Sequence, residues 1–566
     1  MPATSERPWL SSYAEGVPAE IDVTGETLCD LLDTAVARFG PKVALDFYGA
    51  TMTFTQLGEQ VARVAGSLRA LGISAGDRVA LILPNCPQHV VAFYAVLRLG
   101  GIVVETNPLY TADELAYQLA DSGARLAIAW DVVVPTIEGI RSQTALTEIV
   151  AVNMTTALTR ARRIALRLPV AKARATRTAM TAPAPGALAW KKLVANGWPL
   201  TIAHVRPNAG DLAALQYTGG TTGVPKGAML THRNLRSNAA QGRAWVPGLT
   251  DGDEVIYAVL PLFHAYGLTL CLTFAMSIGA TLVLFPRFDA AQVLEAMGRR
   301  PATFLPGVPP IYSALADAAV KQGVDLTSIR FAISGAMPLP TTIVDHWEAT
   351  TGGLLVEGYG MTETSPVAVG NPLATSRRPG TVGVPFPSTD IRIVDPISPD
   401  QDTEDDDAGE LLVRGPQVFA GYWNLPDETS TVLLEGGWIR TGDIVVMDSD
   451  GFITIVDRIK EIIITGGFNV YPSQVEDVLR QVDGVLDAAV VGLPDGSGGE
   501  RVVAAIVCEP NTHLDPEVVR ELTRQHLTAY KVPRQVFIVD ELPRSMIGKV
   551  LRRRVREQLL EHPNQR

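Results

Sequence analysis

The sequence predicts an α/β protein whose large N-terminal domain holds parallel-type sheets and whose C-terminal end forms a small α+β domain. Three observations carry that reading. Apolar, β-rich runs alternate with helical patterns through most of the chain, as parallel strands joined by crossover helices require. After about residue 440 the texture changes to short strands and helices in close succession. At 566 residues the chain is also too long for a single hydrophobic core.

The elements follow in order. RVALIL (78–83) reads as a buried strand and HVVAFYAVLRLG as the helix after it. ADELAYQLADSG reads as a helix, and RLAIAW (125–130) as the next strand. Residues 255–285 contain no Asp, Glu, Lys or Arg and are long enough to span a bilayer. Pro261, Gly267 and Gly279 divide them, however, into a strand over 255–260, a buried helix over 266–278 and a strand over 280–285. TFLPGV and RFAISG (330–335) continue the parallel theme. Farther on, GDIVVMDSDGFITIVDR is a β-hairpin turning at Asp450-Gly451. The helix SQVEDVLRQV, the strands DAAVVGLP and VVAAIVC, the helix PEVVRELTRQHL and the strand QVFIVD complete the series. The domain boundary is expected near Arg458–Lys460, giving domains 1–458 and 459–566.

Composition narrows the function classes. A hydrophobic content of 47% and a charged fraction of 19% fit a globular protein. The net charge of −12, with no nucleic-acid motif, argues against a DNA or RNA partner. Cys29, Cys86, Cys271 and Cys508 lack the spacing of a zinc site or a disulfide scaffold. The first residues lack the basic-then-apolar pattern of a secretory leader, so the expected location is cytoplasmic. Residues 158–178 stand apart, with seven basic side chains, no acid and interleaved apolar residues. Such a segment is either a solvated basic helix or a contact with an anionic membrane surface. DQDTEDDDA (400–408) reads as a solvated acidic loop.

The chemistry begins at YTGGTTGVPKG (217–227). Glycines let a ligand approach the backbone, and successive N–H groups, hydroxyls and one ammonium suit a phosphate. The P-loop pattern fails, because Lys226 is followed by Gly227 where a Ser or Thr is required. The flanks, LAALQY before and AMLTH after, suggest a strand entering and a buried segment leaving.

Four more motifs follow in order: EGYGMTE (357–363), GWIRTGD (437–443), DRIKEIIITGGFNVYP (457–472) and PRSMIGKVLRR (543–553). Together the five strongly resemble the adenylate-forming enzymes, which comprise acyl-CoA synthetases, adenylation domains and beetle luciferases. The resemblance covers nearly the whole chain and is nearest to bacterial long-chain fatty acid–CoA ligases. It implies a β-rich subdomain in the N-terminal domain, a mobile C-terminal domain, and ATP, Mg2+ and coenzyme A as the small molecules used. A carboxylate would attack the α-phosphate of ATP, and a thiol would then displace AMP.

The resemblance also implies roles. Thr218, Gly219, Gly220, Thr221, Thr222, Gly223 and Lys226 would hold the β- and γ-phosphates. Glu363, with Thr218 as a second oxygen donor, would hold Mg2+; read alone, Glu363 equally suits a helix N-terminus. Tyr359 would stack on adenine within Glu357, Gly358, Gly360 and Met361, while Ser334, Gly335 and Ala336 line the other side. Thr362 would meet the α-phosphate, and Asp443 and Arg458 the ribose. Lys549 would be the adenylation lysine, Lys460 the pivot of the C-terminal domain, and Gly466-Gly467 the passage for pantetheine. His264, alone a structural histidine, would position or gate at the junction of acyl pocket and thiol tunnel.

The segments expected to wall the acyl pocket, VLPLFHAYGLTL and PGVPPIYSAL (306–315) among them, carry no acid to hold an α-amino group. A hydrophobic acid, such as a medium- or long-chain fatty acid, fits them. Aromatic acids of the coumarate type, a carrier protein in place of CoA, and a catalytically inactive nucleotide-binding protein remain as alternatives.

Overall fold

The computed structural model describes residues 7–23, 25–200, 204, 206–218, 224–403, 407–465, 468–494, 500–510, 512–545 and 548–561. Strands covered on both faces need apolar residues at nearly every position. Arg78–Ile82, Leu126–Trp130 and Thr281–Leu284 meet that condition and are buried along almost their whole length. They belong to two large sheets.

The first runs Leu188–Ala189, Glu148–Val152, Leu126–Trp130, Arg78–Ile82, Ile102–Glu105, Leu212–Thr218, Lys226–Thr231. It is parallel except for the last pair, an antiparallel hairpin. The second runs from Val384–Pro385 through Val367–Gly370, Leu354–Gly360, Phe331–Ser334, Phe304–Gly307, Val255–Ala258, Thr281–Leu284 and Val43–Phe47 to Ala50–Thr53. Its inner strands are parallel and both its ends antiparallel. Both sheets lie in the larger compact unit, Trp9–Asp390 with Arg414–Ile439.

Asn85, buried at the end of a first-sheet strand, ties the two sheets together. Its Nδ2 donates to the carbonyls of Ala258 at 2.9 Å and Leu260 at 2.7 Å, and its Oδ1 accepts from the Leu262 amide at 2.8 Å. The uncharged stretch 255–285 is folded into this unit. Val255–Ala258 is a strand, and a helix follows from Ala265 to Ile278 with a π-helical turn over Leu268–Thr273. Gly279 ends the helix at φ +66°, where a Cβ would lie 2.1 Å from the Phe39 ring, so only glycine fits. No helix among the described residues is long and apolar enough to cross a membrane.

The smaller unit includes Ile391–Val413 and Arg440–Arg566. The hairpin Trp438–Met447 with Ile453–Arg458, which belongs to this unit from Arg440 on, turns where expected: Asp448 Oδ1 accepts from the amides of Asp450 at 3.0 Å and Phe452 at 2.9 Å. Farther on, Val485–Pro494, Glu500–Cys508 and Gln535–Ile538 form a three-stranded sheet. Alternate residues face opposite ways. Val490, Val502 and Ala504 pack with Val475, Leu479 and Val519 of the helices Pro472–Arg480 and Pro516–Arg524. Ala489, Val491 and Val503 pack with Val555 and Leu559 of a last helix, Arg552–Glu561. That helix is absent from the sequence reading; only those two of its ten residues are buried, too faint an apolar stripe to stand out.

The basic segment folds as two short helices, Arg160–Ala165 and Ala171–Thr178, with no buried residue in either. Arg162 pairs with Glu295 at 2.5 Å, while Ile164, Leu168 and Val170 are more than half exposed.

Candidate functional site

The phosphate-loop motif closes a hairpin. Leu212–Thr218 runs antiparallel to Lys226–Thr231, and Thr218 stands directly opposite Lys226. Gly219, Gly220, Thr221, Thr222 and Gly223 lie outside the described residues. A segment after the β-rich stretch extends the pairing. The Met229 amide donates to the Gly421 carbonyl at 2.9 Å, Ala420 to Met229 at 2.9 Å, and Trp423 to Gly227 at 2.8 Å. The same segment reaches EGYGMTE, because the Phe419 amide donates to the Glu363 carbonyl at 2.8 Å.

Tyr422 stands where these two attachments meet. Its hydroxyl donates to Glu363 Oε1 at 2.6 Å, and Lys226 Nζ lies 5.3 Å from its ring centroid. Burial and the neighbouring Glu363 hold the phenol proton firmly in place. Lys226 is ion-paired with Glu428, whose side chain is 45% exposed. A pair with so wet a partner is weak, so phosphate can compete for the ammonium. The loop motif and the acidic motif are thus joined through a residue that the sequence reading overlooked. AGYWNL carries no charge or glycine pattern that marks it as part of a site.

The helix Ala112–Ser122 braces the hairpin from outside. Tyr117 donates to the Pro225 carbonyl at 3.0 Å, and Tyr217 donates to Asp121 Oδ2 at 2.5 Å. The Asp121 carbonyl accepts from Trp423 Nε1 at 3.2 Å.

Next to this framework lies a cleft. Glu357, Gly358, Tyr359, Gly360, Met361 and Thr362 line one side, with Gly335, Ala336 and His264. Gly360 is crowded so tightly that a Cβ would fall 1.8 Å from the Pro366 carbonyl oxygen. Ala336 sits at φ +68°, a left-handed conformation costly for a residue with a Cβ. Ser334 is fully buried beneath this wall, and its Oγ lacks a hydrogen-bond partner among the described residues. Burial pushes the Glu357 carboxyl up to about 8, so at neutral pH it keeps a proton and can donate as well as accept.

Burial also takes His264 down to about 4, so its imidazole is neutral at neutral pH. Its Nδ1 accepts from the Tyr266 amide at 3.2 Å, which leaves the proton on Nε2. A group so weakly basic suits positioning better than proton abstraction. Apart from Asn371, the remaining lining is apolar or aromatic and includes Tyr266, Leu270, Ile333 and Val367.

The smaller unit holds the other candidates. Asp443 and Arg458 face each other across the hairpin, with Arg458 Nε 2.7 Å from Asp443 Oδ1. Lys549 sits in a tight loop: the Ser545 amide donates to its carbonyl at 2.7 Å, and its own amide donates to Ser545 Oγ at 3.2 Å. Burial and the nearby Arg458 cation pull its ammonium down to about 8, against the attraction of Glu461 and Asp443. Arg552, three residues on, donates to Glu476 at 2.7 and 2.8 Å and to Ser473 at 3.0 Å, and also pairs with Glu461. It anchors the chain just after Lys549, a role its place in a run of arginines conceals. Lys460 lies in a 3-10 turn, Ile459–Glu461. Gly466 and Gly467 lie outside the described residues.

Among the described residues no three His, Cys, Asp or Glu side chains cluster as a ready-made metal site. Glu363 as a single carboxylate still fits a magnesium ion, which keeps waters and takes most of its remaining ligands from phosphate. Tyr422→Phe removes one of the hydrogen bonds that orient Glu363. A hydrogen bond to a charged group contributes about 1.5–3 kcal/mol, so the variant should lose about tenfold or more in kcat/KM for ATP. An unaltered value in steady-state kinetics would show that Tyr422 does not orient Glu363.

Comparison with known proteins agrees with this geometry. Residues 32–423 match the family described as AMP-binding enzyme, and residues 474–549 match the AMP-binding enzyme C-terminal domain. The chain is 38% identical to the long-chain-fatty-acid–CoA ligase of Bacillus subtilis (strain 168), over 99% of each chain. It is 39% identical to the enzyme of the same name from Escherichia coli O157:H7, over 97% of this chain and 98% of the relative. Its fold superposes on ATP-bound MatB from Rhodopseudomonas palustris with a TM-score of 0.81 at 30% identity, covering 94% of this chain and 99% of the other. The protein is a member of the AMP-binding, adenylate-forming enzyme family.

Proposed function

We propose that this chain is an ATP-dependent acid–CoA ligase that activates a hydrophobic carboxylic acid, namely a medium- or long-chain fatty acid. The observation that carries the reading is the cleft itself. One wall is the EGYGMT backbone with Gly335 and Ala336, and the rest, apart from His264 and Asn371, is apolar or aromatic, so nucleotide and acyl group have adjoining places. Full-length relatives named long-chain-fatty-acid–CoA ligases support the same acid class.

In the first step a carboxylate oxygen attacks the α-phosphorus, the bond to the bridging oxygen breaks, and pyrophosphate leaves. In the second, the CoA sulfur attacks the acyl carbon, its proton passes to solvent, and AMP leaves. Both reactants of the first step are anions, so positive groups around the phosphates decide the barrier. Thr218, Lys226 and the loop between them would hold the departing pyrophosphate. Glu363, with Thr218, would hold Mg2+, which neutralises phosphate charge when bound. Tyr359 would stack on adenine, Asp443 and Arg458 would hold the ribose, and Thr362 would meet the α-phosphate. His264 would position the acyl carbonyl. Lys549 would bridge carboxylate and α-phosphate, and the domain beginning at residue 459 would turn about Lys460 between steps, with Gly466 and Gly467 passing pantetheine.

ATP–pyrophosphate exchange with a panel of acids tests the class. Straight-chain fatty acids should support it best, and CoA should then discharge the adenylate faster than a carrier protein. Exchange driven only by aromatic acids would favour a coumarate-type ligase instead.

Separate half-reactions test the roles. Lys549→Ala should lose adenylation yet transfer supplied acyl-AMP to CoA, and Lys460→Pro, with φ fixed, should keep one half-reaction only. The sign of the pH effect follows from the lowered Lys549 value. Below about 8 its ammonium is charged; above it the charge is lost, and adenylation should fall. In Lys549→Arg any residual adenylation should not show that decline, because a guanidinium stays protonated. Equal loss of both half-reactions in Lys549→Ala would contradict the assignment.

The basic segment 158–178 suits peripheral contact with a membrane, where such an acid dissolves. Its exposed Ile164, Leu168 and Val170 lie among arginines that anionic headgroups attract. Co-sedimentation should be stronger with phosphatidylglycerol than with phosphatidylcholine vesicles, and weaker in high salt or after Arg163→Glu with Arg174→Glu. Equal binding to both vesicles would mean a merely solvated segment.

A further inference from the structure

Two aromatic side chains, Trp245 and Phe386, form a wall in the apolar part of the cleft. Trp245 lines the cleft, yet is only 1% exposed. Its ring stacks on Phe386 with centroids 4.5 Å apart and planes at 26°. Its Nε1 donates to the Asn371 carbonyl at 3.0 Å, so the indole cannot swing aside without orphaning a buried N–H. Phe386 is fixed in turn, because its amide donates to the Ala368 carbonyl at 3.0 Å.

The wall is built onto the sheet that carries the nucleotide motif. Gly358 of that motif stands opposite Gly370 on the next strand, and Gly370 opposite Val384 on the one beyond. Gly370 is the floor beneath both rings: a Cβ there would come 2.7 Å from Phe386 and 3.5 Å from Trp245 Nε1. On the far side of Trp245 lies Tyr13, edge-on at 5.2 Å, half-exposed and tied by its hydroxyl to the Pro385 carbonyl at 2.7 Å. Beyond the indole, then, comes a side chain that already meets solvent.

We propose that Trp245, backed by Phe386, is the stop that sets the longest acyl chain this enzyme accepts. The proposal rests on the fatty-acid reading above and adds the residues that measure the chain. The terminal methyl of the bound acid meets the indole face. A shorter acid leaves apolar surface uncovered, and a longer one has nowhere to go.

The test is kcat/KM for straight-chain acids from hexanoate to stearate, in the wild type, Trp245→Leu and Phe386→Leu. Leucine keeps the wall apolar while removing a ring. Both variants should move the optimum to longer acids, with the long-to-short ratio rising about tenfold or more, the discrimination that one or two methylenes carry in an apolar pocket. Should Trp245→Leu fail to fold, Phe386→Leu decides alone. An unchanged optimum, with activity lowered alike at every length, would overturn the proposal and leave the fatty-acid reading intact. A wild type that activates no straight-chain acid would overturn both.

Discussion

The hairpin of Leu212–Thr218 and Lys226–Thr231 is held by more than its own strand pairing. Here the holding comes from outside, and the rest of the site depends on it. Tyr117 and Asp121, one turn apart on a single helix, grip the two strands at Pro225 and Tyr217. Trp423 binds both Gly227 and Asp121, and Tyr422 carries the constraint on to Glu363. Fixed donors aimed at developing charge need no reorganisation when the reaction occurs, which makes such preorganisation effective.

The same economy of motion holds in the cleft. Ala336 in a left-handed conformation, Gly360 pressed against Pro366 and Gly370 beneath two aromatic rings leave the cleft wall little freedom. Charge is kept out of the apolar part by burial: His264 is neutral and Glu357 protonated at neutral pH.

Much of this was legible in the sequence. Apolar runs marked the parallel strands because burial on both faces leaves no polar option. Gly279 marked a helix end, and Asp450-Gly451 a turn, because few residues tolerate those backbone angles. The five motifs stood out by their glycines and by their order along the chain. Tyr422, Tyr117, Asp121, Trp245 and Arg552 did not. Each acts through a partner far off in sequence, Glu363 for Tyr422 and Phe386 for Trp245, and nothing local announces such a contact. The helix Arg552–Glu561 was missed for a related reason, since two buried residues make a weak stripe.

The reaction runs in two steps, an acyl-adenylate first and a thioester second. A single-turnover quench without CoA tests it most directly: enzyme in excess, Mg2+, labelled ATP and palmitate. Acyl-AMP should accumulate, one molecule for each pyrophosphate released, and CoA added afterwards should convert it to thioester and AMP. Formation of ADP and phosphate, or no adenylate until CoA is present, would contradict the account.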